Sequence, residues 1–209
     1  SDVCSSDLAS SVRGLYAAGD AATRELICGG FTGGGSHNAA WALSSGYWAG
    51  QSAATYSRDL GVQANQKPVQ AVGNAGFISG SQKQIHSEEI IKATQAEVFP
   101  YNHNYFRNEQ TLTESLQRLH SLWSEIRNSQ AADNSNILRT REAAGMVATA
   151  RWMYSSALER KETRGMHKHL DYPQQDANQQ HHLISGGLDQ VWVKAVPIQE
   201  TKTKELVTV

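Results

Sequence analysis

Apolar residues in the middle of the chain recur at intervals of four, three, four and three, which predicts a long amphipathic helix. The stripe consists of Leu112, Leu116, Leu119, Trp123 and Ile126. Thr111 and Glu114 have the spacing of a capping box, so we expect the helix to begin at Thr111. Polar residues occupy the positions between the apolar ones, as they do on a helix that buries only one face.

A second helical pattern follows, with Asn136 as its predicted cap and Arg164-Gly165 as its predicted stop. Its inner face would consist of Ala143, Met146, Ala150, Met153 and Ala157. A weaker pattern over residues 82–98 ends before Phe99-Pro100, since the residue before a proline disfavours helix. Helices of these lengths predict an antiparallel bundle over residues 81–165.

The pattern of apolar residues near the end of the chain differs from that of the helices. Leu183–Ser185 and Val191–Val196 are short apolar runs separated by Gly186-Gly187 and the three residues that follow. Runs of this kind predict a β-hairpin within an extension over residues 166–209. The predicted fold class is therefore α+β and mainly helical, with a helical bundle followed by a short β-hairpin.

The N-terminal quarter carries glycine turns and small residues. Gly14–Ala17 predicts a short strand, which ends at Gly19-Asp20, and Gly33–Gly35 opens into a helix. That helix has small residues every three or four positions, typical of a helix packed closely on a sheet or of any tightly packed helix. They are Ala39, Ala42, Gly46, Ala49 and Ala53. Residues 12–60 form this segment, residues 61–80 a predicted linker, and residues 1–11 an expected disordered or foreign leader, with Ser1 not the natural beginning.

Composition narrows the classes of function. The formal net charge is −1, which gives no electrostatic case for nucleic acid. No apolar run approaches the roughly 20 residues of a membrane-spanning helix, and we expect no transmembrane segment. Cys4 and Cys28 make neither a disulfide framework nor a metal motif. Two histidine pairs, 167/169 and 181/182, are expected to be exposed to solvent, and we predict no metal site.

Two segments have the chemistry of a cofactor site. Asp20 at the end of a strand can accept hydrogen bonds from hydroxyl groups, although an aspartate in a turn is also common without a ligand. The helix that begins near Gly35 offers free backbone N–H groups and the positive end of its dipole. Ser36 or Asn38 can equally be an N-cap with no ligand.

Longer motifs carry a family resemblance. Gly14–Asp20, the glycine-rich loop, the quartet Ser36-His37-Asn38-Ala39 and Gly46–Gly50 resemble the end of the FAD domain in the fumarate reductase / succinate dehydrogenase flavoprotein family. That family includes L-aspartate oxidase and the adenylylsulfate reductase flavoprotein. Glu162–Pro173 is similar to a second family motif, E-[ST]-R-G-x-H-x-x-x-D-[YF]-P, which follows a helical bundle. The resemblance corresponds to the C-terminal part of a family member.

The resemblance implies the C-terminal fragment of an FAD-binding α/β domain followed by the bundle and hairpin. It also implies FAD as cofactor, with binding residues Gly19, Asp20, Gly35, Ser36, His37, Asn38 and Ala39. His37 is the candidate catalytic residue for proton transfer, and a structural hydrogen-bond donor is the alternative. Implied partners are a small-molecule substrate and an iron–sulfur electron-transfer subunit. The expected location is cytoplasmic, with membrane association through a partner as an alternative.

One departure from the family bears on the substrate. Fumarate reductases, succinate dehydrogenases and aspartate oxidases carry an arginine that binds a substrate carboxylate, and its position falls on Gly33. The loop instead resembles the adenylylsulfate reductase branch, so recognition of a dicarboxylate is not expected from it. The expected function is hydride or electron transfer between a small substrate and flavin as part of a longer enzyme, with the fragment alone inactive. The alternative is a non-catalytic helical interaction module or remnant.

Overall fold

The computed structural model describes residues 8–22, 35–66, 84–131 and 137–198, which divide between two compact units. The first unit comprises Ser1–Ala71 and the second Val72–Val209, and each is described by itself. The division falls inside the segment predicted as a linker. Several predicted features lie outside the described residues: leader residues 1–7, the loop residues 28–33, linker residues 67–80, Asn136 and the last residues from 199 onward.

The first unit is built on one long helix, α1, over Gly35–Leu60. Short 3-10 turns lie at Gly19–Ala21 and Gly61–Gln66. Leu8, Ala22 and Ala49 form its small core. Ala9 pairs with Tyr16 in an antiparallel bridge, so residues 8–11, predicted as the end of a leader, belong to a folded loop against α1.

Helix α1 has apolar residues on more than one face. Ala49 is buried, but Ala39, Ala42 and Gly46 of the small-residue stripe are exposed among the described residues. Leu43 and Tyr47 are also exposed, with 77% and 65% of their surface accessible. A helix that is apolar around most of its circumference is typical of one that is covered on several sides.

The second unit contains four helices in its described ranges: α2 over Ser87–Val98, α3 over Tyr101–Asn104, α4 over Glu109–Arg127 and α5 over Ile137–Glu159. The start of α4 packs on the end of α5, since Leu112 and Leu119 meet Tyr154 and Ala157. At the other end of α4, Trp123 and Ile126 pack on the first half of α5. The two helices are therefore antiparallel, as the sequence predicted.

Both predicted apolar faces form the core of this bundle. Leu112, Leu119 and Ile126 have no accessible surface, and Leu116 packs against the same cluster while partly exposed. On α5, Ala143, Ala150 and Ala157 are buried, and Met146 and Met153 pack around them. Helix α2 adds Ile90 and Ile91 at one end and Val98 at the other, so three helices contribute to the core.

The predicted ends of the helices need correction. Asn108, three residues before Thr111, caps α4 by accepting a hydrogen bond from the Thr111 N–H at 2.8 Å, so the predicted start at Thr111 was wrong. Helix α2 begins at Ser87, five residues later than its pattern suggested. Helix α5 ends at Glu159, before the predicted stop at Arg164-Gly165.

The described ranges of the second unit also contain six short strands. Strands β1 (Gln84–Ile85) and β3 (Gln130–Ala131) pair in parallel, and so do β2 (Phe106–Arg107) and β4 (Lys168–His169). Strands β5 (His181–Gly186) and β6 (Trp192–Pro197) form the antiparallel hairpin that the sequence predicted. The hairpin packs on α5, so the bundle and the extension belong to one unit.

Gly187 starts the turn of this hairpin with φ +84°, a conformation that residues with a side chain rarely adopt. A Cβ atom at this position would also collide with the carbonyl oxygen of Gln190. We therefore expect Gly187→Ala to lower the free energy of unfolding by at least about 2 kcal/mol, measured by urea denaturation. The matched control is Gly145→Ala in α5, where no atom lies within 4 Å of the added Cβ. This control should be neutral or stabilising, and equal losses in both variants would contradict the assignment.

Candidate functional site

The turn that carries Asp20 is fixed to helix α1 by hydrogen bonds from both sides of Gly19. The Gly19 N–H donates to Ser45 Oγ at 2.9 Å, and the Trp41 indole N–H donates to the Gly19 carbonyl at 2.9 Å. Ser45 is fully buried, and its hydroxyl donates to the Trp41 carbonyl. Gly19 has φ +60°, which lets the chain turn tightly against the helix. Asp20 is exposed at the outside of this turn.

The beginning of α1 holds the rest of the predicted cofactor residues. The first four N–H groups of a helix have no carbonyl partner within it, and in α1 these groups begin at Gly35. His37 and Ala39 are exposed, and Asn38 is partly buried. The Asn38 Oδ1 atom is buried without a hydrogen-bond partner among the described residues. The side chain of Ser36 lies outside the described part of the structure.

The two predicted elements therefore share one helix. The turn attaches at Trp41 and Ser45, and a rise of 1.5 Å per residue puts Trp41 about 9 Å along the axis from Gly35. Ser45 and Trp41 hold the turn but were not predicted as site residues. A serine or a tryptophan within a helix has no sequence pattern that marks it as the attachment point of a turn.

A buried ionic corner lies where the second family-like motif follows α5. The Glu162 carboxylate has no accessible surface. It accepts hydrogen bonds from Arg160 Nη1 at 2.7 Å, from Arg164 Nε and Nη2 at 2.7 and 2.9 Å, and from the Asp176 N–H at 2.8 Å. Burial opposes ionisation, but the hydrogen bonds outweigh it and lower the pKa of Glu162 to about 2.

His167 connects this corner to strand β2. Arg107 Nη1 donates to His167 Nδ1 at 2.8 Å, because a guanidinium is always a donor. The His167 Nε2–H then donates to the Arg160 carbonyl at 3.0 Å, which defines a neutral imidazole. Burial, assisted by the positive charge of Arg107, lowers the pKa of His167 to about 4. The side chain is thus a fixed structural link.

Asp171 and His169 are the remaining side chains of the corner. Asp171 Oδ2 accepts the Glu109 N–H at 2.8 Å, which places a negative charge at the positive end of the α4 dipole. His169 is only 2% exposed, and His167 is partly buried, so the prediction that this pair is exposed to solvent was wrong. No group of three or more metal-ligating side chains occurs in the described ranges. Arg164, His167 and Asp171 thus act in a structural corner.

These observations define a mainly helical α+β domain with a polar corner at the end of its bundle. Residues 96–207, just over half of the chain, match the family described as the fumarate reductase flavoprotein C-terminal region. The chain belongs to this family, and the resemblance found in its motifs is confirmed. The family is that of flavoprotein subunits of succinate dehydrogenase and fumarate reductase, which are oxidoreductases.

Curated relatives agree with this assignment. The chain is 27% identical over 179 residues to the fumarate reductase flavoprotein subunit of Helicobacter pylori, covering 79% of this chain and 24% of that protein. It is 27% identical over 177 residues to the corresponding subunit of Haemophilus influenzae, covering 79% of this chain and 28% of that protein. The chain therefore spans about a quarter of the length of the curated relatives it matches.

Solved structures share the fold. The E. coli quinol fumarate reductase FrdA with the E245Q mutation superposes with a TM-score of 0.65 at 20% identity, covering 90% of this chain and 34% of that chain. The Mycobacterium smegmatis Sdh1 complex in its apo form gives 0.60 at 23% identity, covering 90% and 33%. Within the described residues, no helix combines the length and apolar character needed to cross a membrane.

The Glu162 corner should be sensitive to loss of its charge. Glu162→Gln leaves Arg160 and Arg164 beside a neutral amide that can accept fewer hydrogen bonds, so we expect a loss of roughly 3 kcal/mol in the free energy of unfolding. Urea denaturation, monitored by circular dichroism, measures this loss in the free energy of unfolding. Glu142→Gln is the control, because Glu142 forms an exposed pair with Arg139 at 3.1 Å and should change stability by less than about 1 kcal/mol. Similar losses in both variants would show that the corner contributes no more than a surface pair.

The neutral state of His167 should make stability depend on pH. Its pKa is about 4 when folded and 6.5 ordinarily, so the unfolded chain binds more protons between these values. Stability is then complete above pH 6.5 and falls as pH decreases towards 4, by up to about 1.4 kcal/mol per pH unit. His167→Gln should reduce this slope, whereas His86→Gln, at an exposed histidine, should retain it. Equal slopes in wild type and His167→Gln would refute the assignment.

Proposed function

We propose that this chain is the C-terminal part of an FAD-dependent oxidoreductase, a flavoprotein subunit that transfers hydride or electrons between a small substrate and flavin. The match to the flavoprotein C-terminal family over residues 96–207 is the observation that carries the proposal. The isolated chain is proposed to be inactive for two reasons. The relatives are about four times longer, and the chain lacks the G-x-G-x-x-G motif that binds the ADP half of FAD.

The residues of the first unit fit part of such a cofactor. Among the described residues no donor reaches the buried Asn38 Oδ1, and a bound group with an N–H or O–H would satisfy it. The exposed Asp20 carboxylate can accept hydrogen bonds from the hydroxyls of a sugar-like chain. These two acceptors and the first amides of α1 belong to one unit, in which the hydrogen bonds of Gly19 attach the Asp20 turn to the helix.

The proposed roles follow from this arrangement. Gly19 and Asp20 would hold the ribityl hydroxyls of FAD, and the backbone of Gly35, Ser36, His37, Asn38 and Ala39 would face its ring. The cofactor supplies the redox chemistry. The amides at the start of α1 would stabilise negative charge near them, and the exposed imidazole of His37 is the proposed group for proton transfer.

The substrate, the partner and the location of the longer protein are also proposals. The substrate is a small molecule, and the loop sequence, with Gly33 at the position of the family's arginine, favours a substrate other than a dicarboxylate. An iron–sulfur electron-transfer subunit is the proposed partner. We propose a cytoplasmic location, with attachment to a membrane only through a partner.

FAD binding by the longer protein tests the proposal. We would express the natural reading frame that contains this chain and measure flavin absorbance per polypeptide after gel filtration. Asp20→Ala should weaken FAD binding about tenfold, which corresponds to the loss of about 1.4 kcal/mol in hydrogen bonds. Asp59→Ala is the matched control, because Asp59 is an exposed aspartate near the C-terminal end of α1, far from the proposed cofactor residues at its start. The 209-residue chain alone should retain little or no flavin.

Each outcome decides between the candidate functions. Stoichiometric flavin on the 209-residue chain would overturn the proposal that its site is incomplete. A longer protein that contains no nucleotide-binding half and retains no flavin would favour the non-catalytic helical module. Equal binding by the Asp20→Ala and Asp59→Ala variants would remove Asp20 from the site while leaving the flavoprotein assignment in place.

A further inference from the structure

The turn of the β5–β6 hairpin is held on the bundle by side chains of α5. The Trp152 indole N–H donates to the Gly187 carbonyl at 2.7 Å. Arg151 donates through Nη1 to the Leu188 carbonyl and through Nη2 to the Asp189 carbonyl, the latter at 3.4 Å. Three consecutive carbonyls of the turn are therefore bound by two neighbouring residues of one helix.

Helix α4 holds the same turn through the Asp189 carboxylate. Asp189 Oδ1 accepts from the Trp123 indole N–H at 3.3 Å and from Arg127 Nε at 3.0 Å. We call the four donors Trp123, Arg127, Arg151 and Trp152 the hairpin clasp. The clasp joins two bundle helices to a hairpin turn through hydrogen bonds, which are directional.

Arg151 is the buried centre of the hairpin clasp. It is 1% exposed, and its guanidinium lies 5.0 Å from the centre of the Trp123 ring. Its Nε–H donates to His120 Nδ1 on α4 at 3.0 Å. Because arginine is always a donor, this bond requires His120 Nδ1 to be unprotonated. The orientation of Arg151 towards the turn thus depends on a neutral histidine.

We propose that His120 is an acid-sensitive release for the hairpin. Protonation of Nδ1 removes the acceptor of Arg151 Nε and puts a second positive charge against a buried guanidinium. Arg151 then turns away and its bonds to Leu188 and Asp189 are lost. The turn keeps its bonds to Trp123, Arg127 and Trp152, so the hairpin is held more weakly and opens more often. The helices stay folded, because their apolar core does not include His120.

The charges around His120 set the pH range of this release. Burial and then the charge of Arg151 lower the pKa of His120, so the hairpin clasp is closed at neutral pH and opens on the acid side of an ordinary histidine. The elements packed on α4 also bring charged or titratable groups, and α4 contributes its own. They are Asp189 on the turn, His103 on α3, Glu97 on α2, and Arg127 and Arg118 on α4.

Hydrogen exchange of the full chain tests the proposal. Amide exchange would be followed by mass spectrometry from pH about 7 to about 5, corrected for the intrinsic effect of pH on exchange. In the wild type we expect residues 181–197 to lose protection about tenfold more than α4 and α5 as pH falls, the factor expected for losing a charged hydrogen bond. His120→Asn offers a non-titrating acceptor and should keep the hairpin protected at low pH.

Two further variants make the result decisive. His120→Arg carries a permanent charge and should expose the hairpin at neutral pH. If that variant does not fold, the comparison of wild type with His120→Asn still decides. His86→Asn, at an exposed histidine on α2's N-terminal side, should behave as the wild type. The proposal is overturned if His120→Asn loses hairpin protection as the wild type does, or if hairpin and helices lose protection together in the wild type.

Discussion

The path of the chain through the second unit depends on the ion pairs and hydrogen bonds of the buried Glu162 carboxylate. Its ion pairs with Arg160 and Arg164 form within five residues of the chain, immediately after α5 ends. Taking an isolated charge out of water costs several kcal/mol, so the carboxylate is buried only because four hydrogen bonds surround it. The same arginines reach further: Arg160 binds the carbonyls of Gln179 and His181. One charge thus fixes the end of the helix and the beginning of the hairpin.

Polar residues of this corner connect the segments of the second unit that lie outside the apolar core. The core lies between α2, α4 and α5, and β4 is too short to bury much apolar surface. His167 and Asp171 instead connect β2 and the start of α4 to the chain after α5. Polar links have defined geometry, so they set the path of the chain more narrowly than apolar contacts would. The family-like motif from Glu162 to Pro173 encodes these links.

The sequence was informative where a pattern repeats over many residues. The stripes of α4 and α5 and the alternation of the hairpin correctly predicted elements and core, because burial of one face imposes a period. The end of α5 was misplaced because Arg164-Gly165 resembles a helix stop, whereas Glu162 turns the chain earlier. Two-residue strands such as β2 have no period to detect. At the candidate site, motifs pointed to Asp20 and the start of α1 but not to Ser45. In the second unit, no pattern indicated the hairpin clasp. Both Ser45 and the clasp depend on contacts distant in the sequence.

The positions of the tryptophans give the protein built-in optical probes. Of its five tryptophans, Trp41 and Trp48 lie on α1, and the other three are in the second unit. Trp123 and Trp152 donate their indole N–H groups to the hairpin turn, and the ring of Trp192 lies over Gly186 in the hairpin itself. Indole emission shifts to longer wavelength when the ring becomes exposed to water. Every tryptophan of the second unit therefore adjoins the hairpin, and an opening of the hairpin junction changes the surroundings of all three indole rings.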